Sequence, residues 1–178
     1  MRPSRRRSTH GGRDVKACGA FGAKALLASL SAFILAQQAF ASAPITLTPV
    51  AGRPADAVTL ESIKGRAHVA LFWRSDCAPC LVELNEFAAL NAAAQGGLVT
   101  IALEPTADAR RTLVRFGVPL AQAYVVNGDV QTALEAVSDG GRRLPLAVAL
   151  NADGRICARR IGLLGIEQAQ AWVRQCSR

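Results

Sequence analysis

Leu71-Phe72-Trp73-Arg74-Ser75-Asp76-Cys77-Ala78-Pro79-Cys80 is the stretch on which the reading of this chain turns. Residues 67–73, Ala-His-Val-Ala-Leu-Phe-Trp, form a nearly continuous apolar run with the length of a strand covered on both faces. Beyond the cysteines, Leu81, Leu84, Phe87, Ala88 and Leu90 recur mainly at helical steps with Glu83, Asn85 and Glu86 between them, which predicts an amphipathic helix over 79–94. The two thiols therefore fall where a buried strand ends and a helix begins. A helix start carries N–H groups without intrahelical partners and the positive end of the dipole, so it favours a thiolate on the first cysteine. Two cysteines at this spacing can close into a disulfide. The same spacing also serves zinc sites and structural bridges, so the junction is more informative than the spacing.

Working outward, Gly96-Gly97 stops the helix and residues 98–103 return as a second buried strand. A helix over 108–116 ends at Gly117, an extended segment lies within 118–126, and a short helix covers 130–137. Leu144-Pro145 introduces a strand over 146–150, and the turn Asn151-Ala152-Asp153-Gly154 leads into its hairpin partner at 155–161, with Gly154 supplying a positive φ. Residues 166–175 read as a closing helix. This order predicts an α/β fold with a central mixed sheet flanked by helices. Residues 42–58, rich in Pro and Ala, read as an extended lead-in with a short edge strand near 45–48, and the domain proper spans 59–178.

Residues 1–41 are set aside from the fold. Arg2, Arg5, Arg6, Arg7, Arg13, Lys16 and Lys24 precede an apolar run at 25–36 and the small-x-small pattern Ala39-Phe40-Ala41, the plan of a secretory signal peptide cleaved after Ala41. The run is shorter than the roughly 20 residues a spanning helix needs, so no stable membrane span is expected after cleavage. Cys18 precedes the run, which argues against a lipid anchor. The formal charge of +8 is concentrated here: from Ser42 onward fourteen Lys/Arg face twelve Asp/Glu, a net of +2, and nucleic-acid binding loses its support. Four cysteines remain, Cys77, Cys80, Cys157 and Cys176, an even number suited to an oxidising, periplasmic or otherwise exported location.

The Leu71–Cys80 stretch, Leu144-Pro145 and the Asn-Ala-Asp-Gly hairpin, in that order, resemble the thioredoxin-like fold, and within it the exported TlpA/ResA-type thiol-disulfide oxidoreductases. The likeness runs from about Thr59 to the C-terminus. It implies that Cys77 is the nucleophile, an assignment the helix start supports, and that Cys80 is the resolving thiol. Pro79 pre-sets the first helical turn. The resemblance further implies a cis peptide bond at Pro145, with Leu144, Pro145, Ala78 and Pro79 as the client-binding surface. Glu83, three residues after Cys80, matches a glutamate associated with proton movement; by spacing alone it is equally a solvated helix carboxylate. The implied partners are disulfide-bearing exported proteins, with a membrane thiol donor, and no cofactor.

The chain also departs from the family pattern. Asp76 stands where the family carries tryptophan and sets a negative charge beside Cys77; Leu71 stands where cytoplasmic thioredoxins have a buried aspartate. Cys157 and Cys176 are open between a structural disulfide, two buried free thiols and, last, a second catalytic pair. His68, the one histidine after residue 41, sits in an apolar strand and reads as a core residue, and a tetrahedral zinc site has too few ligands, so no metal is expected. Trp73 and Trp172 read as packing residues, and the pairs Arg142-Arg143 and Arg159-Arg160 as solvated surface with some capacity to steer an acidic partner. The expected activity is disulfide reduction of exported proteins. The competing readings are a dithiol oxidase or isomerase and a binding module without turnover.

Overall fold

The computed structural model describes residues 44–63 and 68–177. The segment 1–41, expected to be a signal peptide, lies outside the described residues, as do Ser42, Ala43 and Ala67. Seven strands form one mixed sheet: β1 (Thr46–Pro49), β2 (Val58–Thr59), β3 (His68–Trp73), β4 (Leu98–Ala102), β5 (Ala123–Val126), β6 (Leu146–Leu150) and β7 (Ile156–Ile161). Their order across the sheet is β2-β1-β5-β4-β3-β6-β7. β3, β4 and β5 run parallel, while β6 is antiparallel to β3 and β7 to β6. The helices are α1 (Ala78–Asn85), α2 (Phe87–Ala93), α3 (Thr106–Arg115), α4 (Val130–Ser138) and α5 (Ile166–Cys176).

The connections explain which face each helix covers. From β3 through β4 to β5 the chain steps across the sheet in one direction, and right-handed crossovers put the intervening helices on one side. On that side Leu71, Trp73, Leu98 and Ala102 pack with Leu84 of α1, Phe87 and Leu90 of α2 and Leu113 of α3. The return from β5 to β6 passes beneath the sheet. There Ala133, Leu134 and Val137 of α4 meet Ala70, Phe72, Ile101, Leu146 and Val148. α5 completes the first layer with Ala169, Trp172 and Val173. β3 is thus buried on both faces, which is why its sequence shows no apolar-polar alternation.

Two expectations are corrected. The strand expected at the sheet edge near 45–48 is interior: β1 lies between β2 and β5, and β2 is the edge. Leu47 is fully buried there, so the first part of the lead-in, with Ile45 and Val50, joins the core, while residues 51–57 are exposed. The single helix expected over 79–94 is two, because Glu86 (φ −93°, ψ 8°) leaves helical geometry and its N–H bonds back to Val82 and Glu83. This break lets α1 bury Cys80, Glu83 and Leu84 while α2 buries Phe87, Leu90 and Ala93, leaving Val82 and Ala88 outside. The extended segment expected within 118–126 is present as β5, after a short 3-10 turn at Leu120–Gln122. The helix over 108–116 begins slightly earlier, at Thr106, directly after Pro105.

Candidate active site

Cys77 follows a three-residue turn beyond the C-terminal end of β3 and caps α1, with extended backbone (φ −97°, ψ 95°) just before the first helical residue. Its N–H donates to the Arg74 carbonyl at 3.2 Å, and its sulfur accepts the Cys80 N–H at 3.3 Å, filling one of the donor groups left open at a helix start. Cys77 and Cys80 are joined as a disulfide with their Cα atoms 5.2 Å apart. The two sulfurs are inequivalent. Cys80 is completely buried, while Cys77 is half-buried between exposed Asp76 and Ala78, so the Cys77 sulfur is the one that solvent-borne reactants can reach. Pro79 occupies the first helical turn, where a missing N–H costs nothing.

Across the sheet, Phe72 pairs with Leu146, and one further step sets Pro145 beside Trp73 at the same end as the cysteines. The Leu144–Pro145 bond is cis. Pro145 is buried and Leu144 half-buried against both core layers. The Pro145 carbonyl accepts the Gly162 N–H at 2.9 Å, which ties the loop between β7 and α5 to this edge. Leu144, Pro145, Ala78 and Pro79 therefore gather at one end of the sheet with the disulfide.

Glu83 is 2% exposed, not a solvated carboxylate. Its Oε1 accepts the Leu164 N–H at 2.6 Å, whereas Oε2 is buried without a hydrogen-bond partner among the described residues. Burial pushes its carboxyl from 4.5 up to about 7; Glu86 adds to the rise, and the Leu164 N–H and Arg160 oppose it. Such a group exchanges protons near neutrality, one helical turn from the buried sulfur.

The turn at 74–76 is polar and doubly fastened. Arg74 closes on Asp76 through two side-chain bonds of 3.0 and 3.1 Å, so the charge expected beside Cys77 arrives already paired. Ser75 donates its N–H (3.0 Å) and its hydroxyl (2.6 Å) to the same oxygen of Glu104, in the loop after β4. Neither residue stands out in the sequence; the available signal is that Glu104 follows a parallel strand at its carboxyl end, where sites of open α/β sheets gather.

Among the remaining candidates, Cys157 of β7 and Cys176 at the end of α5 form a second disulfide, Cα atoms 5.9 Å apart. It ties an edge strand to the last helix rather than joining the first pair. Trp73 and Trp172 are core residues, at 1% and 4% exposure. His68 is half-buried at the start of β3. Arg142 pairs with Glu135, Arg159 donates to the Val137 carbonyl and Arg160 to that of Leu163. Among the described residues, no group of three His, Cys, Asp or Glu side chains is placed to hold a metal ion. A cleft of about 190 Å³ lined by Ile45, Val126, Asp129 and Ala133 lies beyond β5, on the far side of β4 from the cysteines.

No protein-family model and no curated protein sequence matches this chain. Solved structures do. A thiol:disulfide interchange protein of the thioredoxin family from Chlorobium tepidum is similar with a TM-score of 0.58 and 19% identity, over 76% of this chain and 94% of that one. StoA from Bacillus subtilis gives 0.52 and 22%, over 74% and 96%. ScoI from Bradyrhizobium japonicum, solved with copper bound, gives 0.52 and 19%, over 76% and 98%. Identities this low carry architecture and not activity. Because the likeness takes in nearly the whole of each of these molecules, the conclusion it supports is structural: the chain has the thioredoxin fold.

Proposed function

We propose that this protein is an exported thiol-disulfide oxidoreductase of the TlpA/ResA type, working as a reductase of disulfides in other exported proteins. The observation that carries the proposal is the inequivalence of the two sulfurs: Cys77 half-exposed at the helix start, Cys80 sealed beneath it, joined to one another. In the reduced protein the Cys77 thiolate attacks a client disulfide, forming a mixed disulfide and expelling one client thiolate, which takes up a proton. Cys80 then loses its proton, attacks the Cys77 sulfur and expels the second client thiolate. Two electrons have passed to the client, and the Cys77–Cys80 disulfide remains. Glu83 is suited to accept the Cys80 proton, since its carboxyl changes state near neutral pH. Leu144 and Pro145 offer backbone beside the sulfur for an extended client. Residues 1–41 direct export, and a thiol donor at the membrane regenerates the dithiol.

The test is reduction of insulin by the dithiol form of the chain after Ala41. Wild type should reduce it catalytically when a thiol reductant is supplied. Cys77→Ser should fall to background, and Cys80→Ser should stall as a mixed disulfide visible as a mass increase. Undiminished reduction by Cys77→Ser would remove the basis of the proposal, and a potential as high as about −120 mV would reverse its direction.

A further inference from the structure

Glu104 is, among the described residues, a carboxylate at this end of the sheet that has neither a part in the chemistry above nor, unlike Asp76, an arginine beside it. Its Oε2 takes both the N–H and the hydroxyl of Ser75, two residues ahead of Cys77, and its Oε1 is shut off from solvent with no hydrogen-bond partner among the described residues. A carboxylate held half-buried with an orphaned oxygen is costly, and such costs concentrate where function needs them.

Two consequences follow for Cys77. The first is mechanical: the only side-chain tie between the turn at 74–76 and the rest of the sheet, among the described residues, is the one from Ser75 to Glu104, across 29 positions of sequence. The second is electrostatic. Asp76 is 69% exposed, so water and salt screen it; Glu104 is half-buried, so its charge is screened less, and it is held against the same turn. Other charged groups toward this end include Arg74 in the turn, Glu83 in α1 with Glu86 beyond it, Arg160 on β7 and Arg143 before the cis proline. Of these, Arg160 faces Glu83.

We propose that Glu104 is a positioning residue of the redox centre, which fixes the approach to Cys77 through Ser75 and biases the Cys77–Cys80 couple toward the disulfide, making the dithiol a stronger reductant. The inference rests on the oxidoreductase reading. The disulfide takes up two electrons and two protons to become the dithiol, and where Cys77 is ionised the reduced form holds one proton fewer and a negative charge. A fixed negative charge nearby raises the energy of that form alone, so removing it favours the dithiol.

The experiment is equilibration of the purified chain after Ala41 with a glutathione redox series, together with the pH profile of Cys77 alkylation and thermal unfolding. Glu104→Gln keeps an oxygen for the Ser75 N–H and removes the charge. It should shift the equilibrium toward the dithiol about threefold to tenfold, up to about 30 mV, and move the alkylation profile to lower pH. Ser75→Ala, which frees the carboxylate from one bond, should shift it in the same direction by less. Asp76→Asn, the exposed charge, should shift it less than twofold. If Glu104→Gln does not fold, the Ser75→Ala result decides. Equilibria within twofold of wild type for both Glu104→Gln and Ser75→Ala, or a shift in Asp76→Asn as large as theirs, would overturn the inference. A wild-type protein that does not equilibrate with glutathione at all would instead overturn the oxidoreductase reading.

Discussion

At the residue scale, Glu83 links stability to pH in a direction opposite to that of an ordinary ion-paired carboxylate. Its carboxyl titrates near 7 in the folded protein because burial penalises the anion, while the unfolded chain returns it to its ordinary 4.5. The folded state therefore holds a proton that the unfolded state has released. Stability gained this way is fully present below about 4.5 and is lost as pH rises through about 7; the interval corresponds to roughly 3 kcal/mol. Glu83→Gln is neutral at every pH and keeps an oxygen for the Leu164 N–H. Urea unfolding of the disulfide form should show wild type losing about that much relative to the variant between pH 4.5 and 8. Superimposable pH dependences would contradict the assignment. In the reaction, the same variant should leave client attack by Cys77 intact and slow release by Cys80, by up to about a hundredfold, as followed by the lifetime of the mixed disulfide.

At the scale of elements, the β6–β7 hairpin is held by a contact its own sequence does not announce. Gly154 has φ +81°, and a Cβ there would lie 2.1 Å from the Glu61 carbonyl oxygen, in the 3-10 turn at Leu60–Ser62. Gly154→Ala therefore meets both a left-handed conformation and a backbone collision. The conformation alone costs about 1–3 kcal/mol, so a loss of at least that size is expected in the unfolding free energy. A midpoint unchanged from wild type would show that the turn can move away from Glu61. The glycine was legible as a turn residue from Asn151 to Gly154, but its neighbour, far off in sequence, was not. The same division runs through the fold. β3, β4, β6 and α5 were legible because continuous apolar runs and helical periodicity are local properties. The interior place of β1 was not, since a strand's partners are chosen by the whole sheet. The break at Glu86 was hidden because Val82 faces out and Glu83 faces in, the reverse of what their polarity suggests. The cysteine pair was plain from sequence; the Glu104 clasp on Ser75 depends on β3 and β4 lying side by side.

At the scale of the whole molecule, the two disulfides occupy different mechanical positions. Cys77–Cys80 closes a loop of a single helical turn, whereas Cys157–Cys176 joins β7 to the last residue of α5 across a separation of 19. β7 is an edge strand, paired on one side only with β6, and its outer half from Arg159 to Ile161 is exposed. α5 covers the sheet through Ala169, Trp172 and Val173, and Cys176 is 3% exposed at its far end. Fixing that end to β7 restricts the unfolded chain by a loop of that length, for which chain entropy gives about 3 kcal/mol. The variant carrying Cys157→Ala and Cys176→Ala should lose about that much in urea unfolding of the oxidised protein, with its glutathione equilibrium at Cys77–Cys80 within about twofold of wild type. A large change in that equilibrium would mean that the second disulfide exchanges with the first. An unchanged unfolding midpoint would mean that packing of α5 holds the edge strand without it.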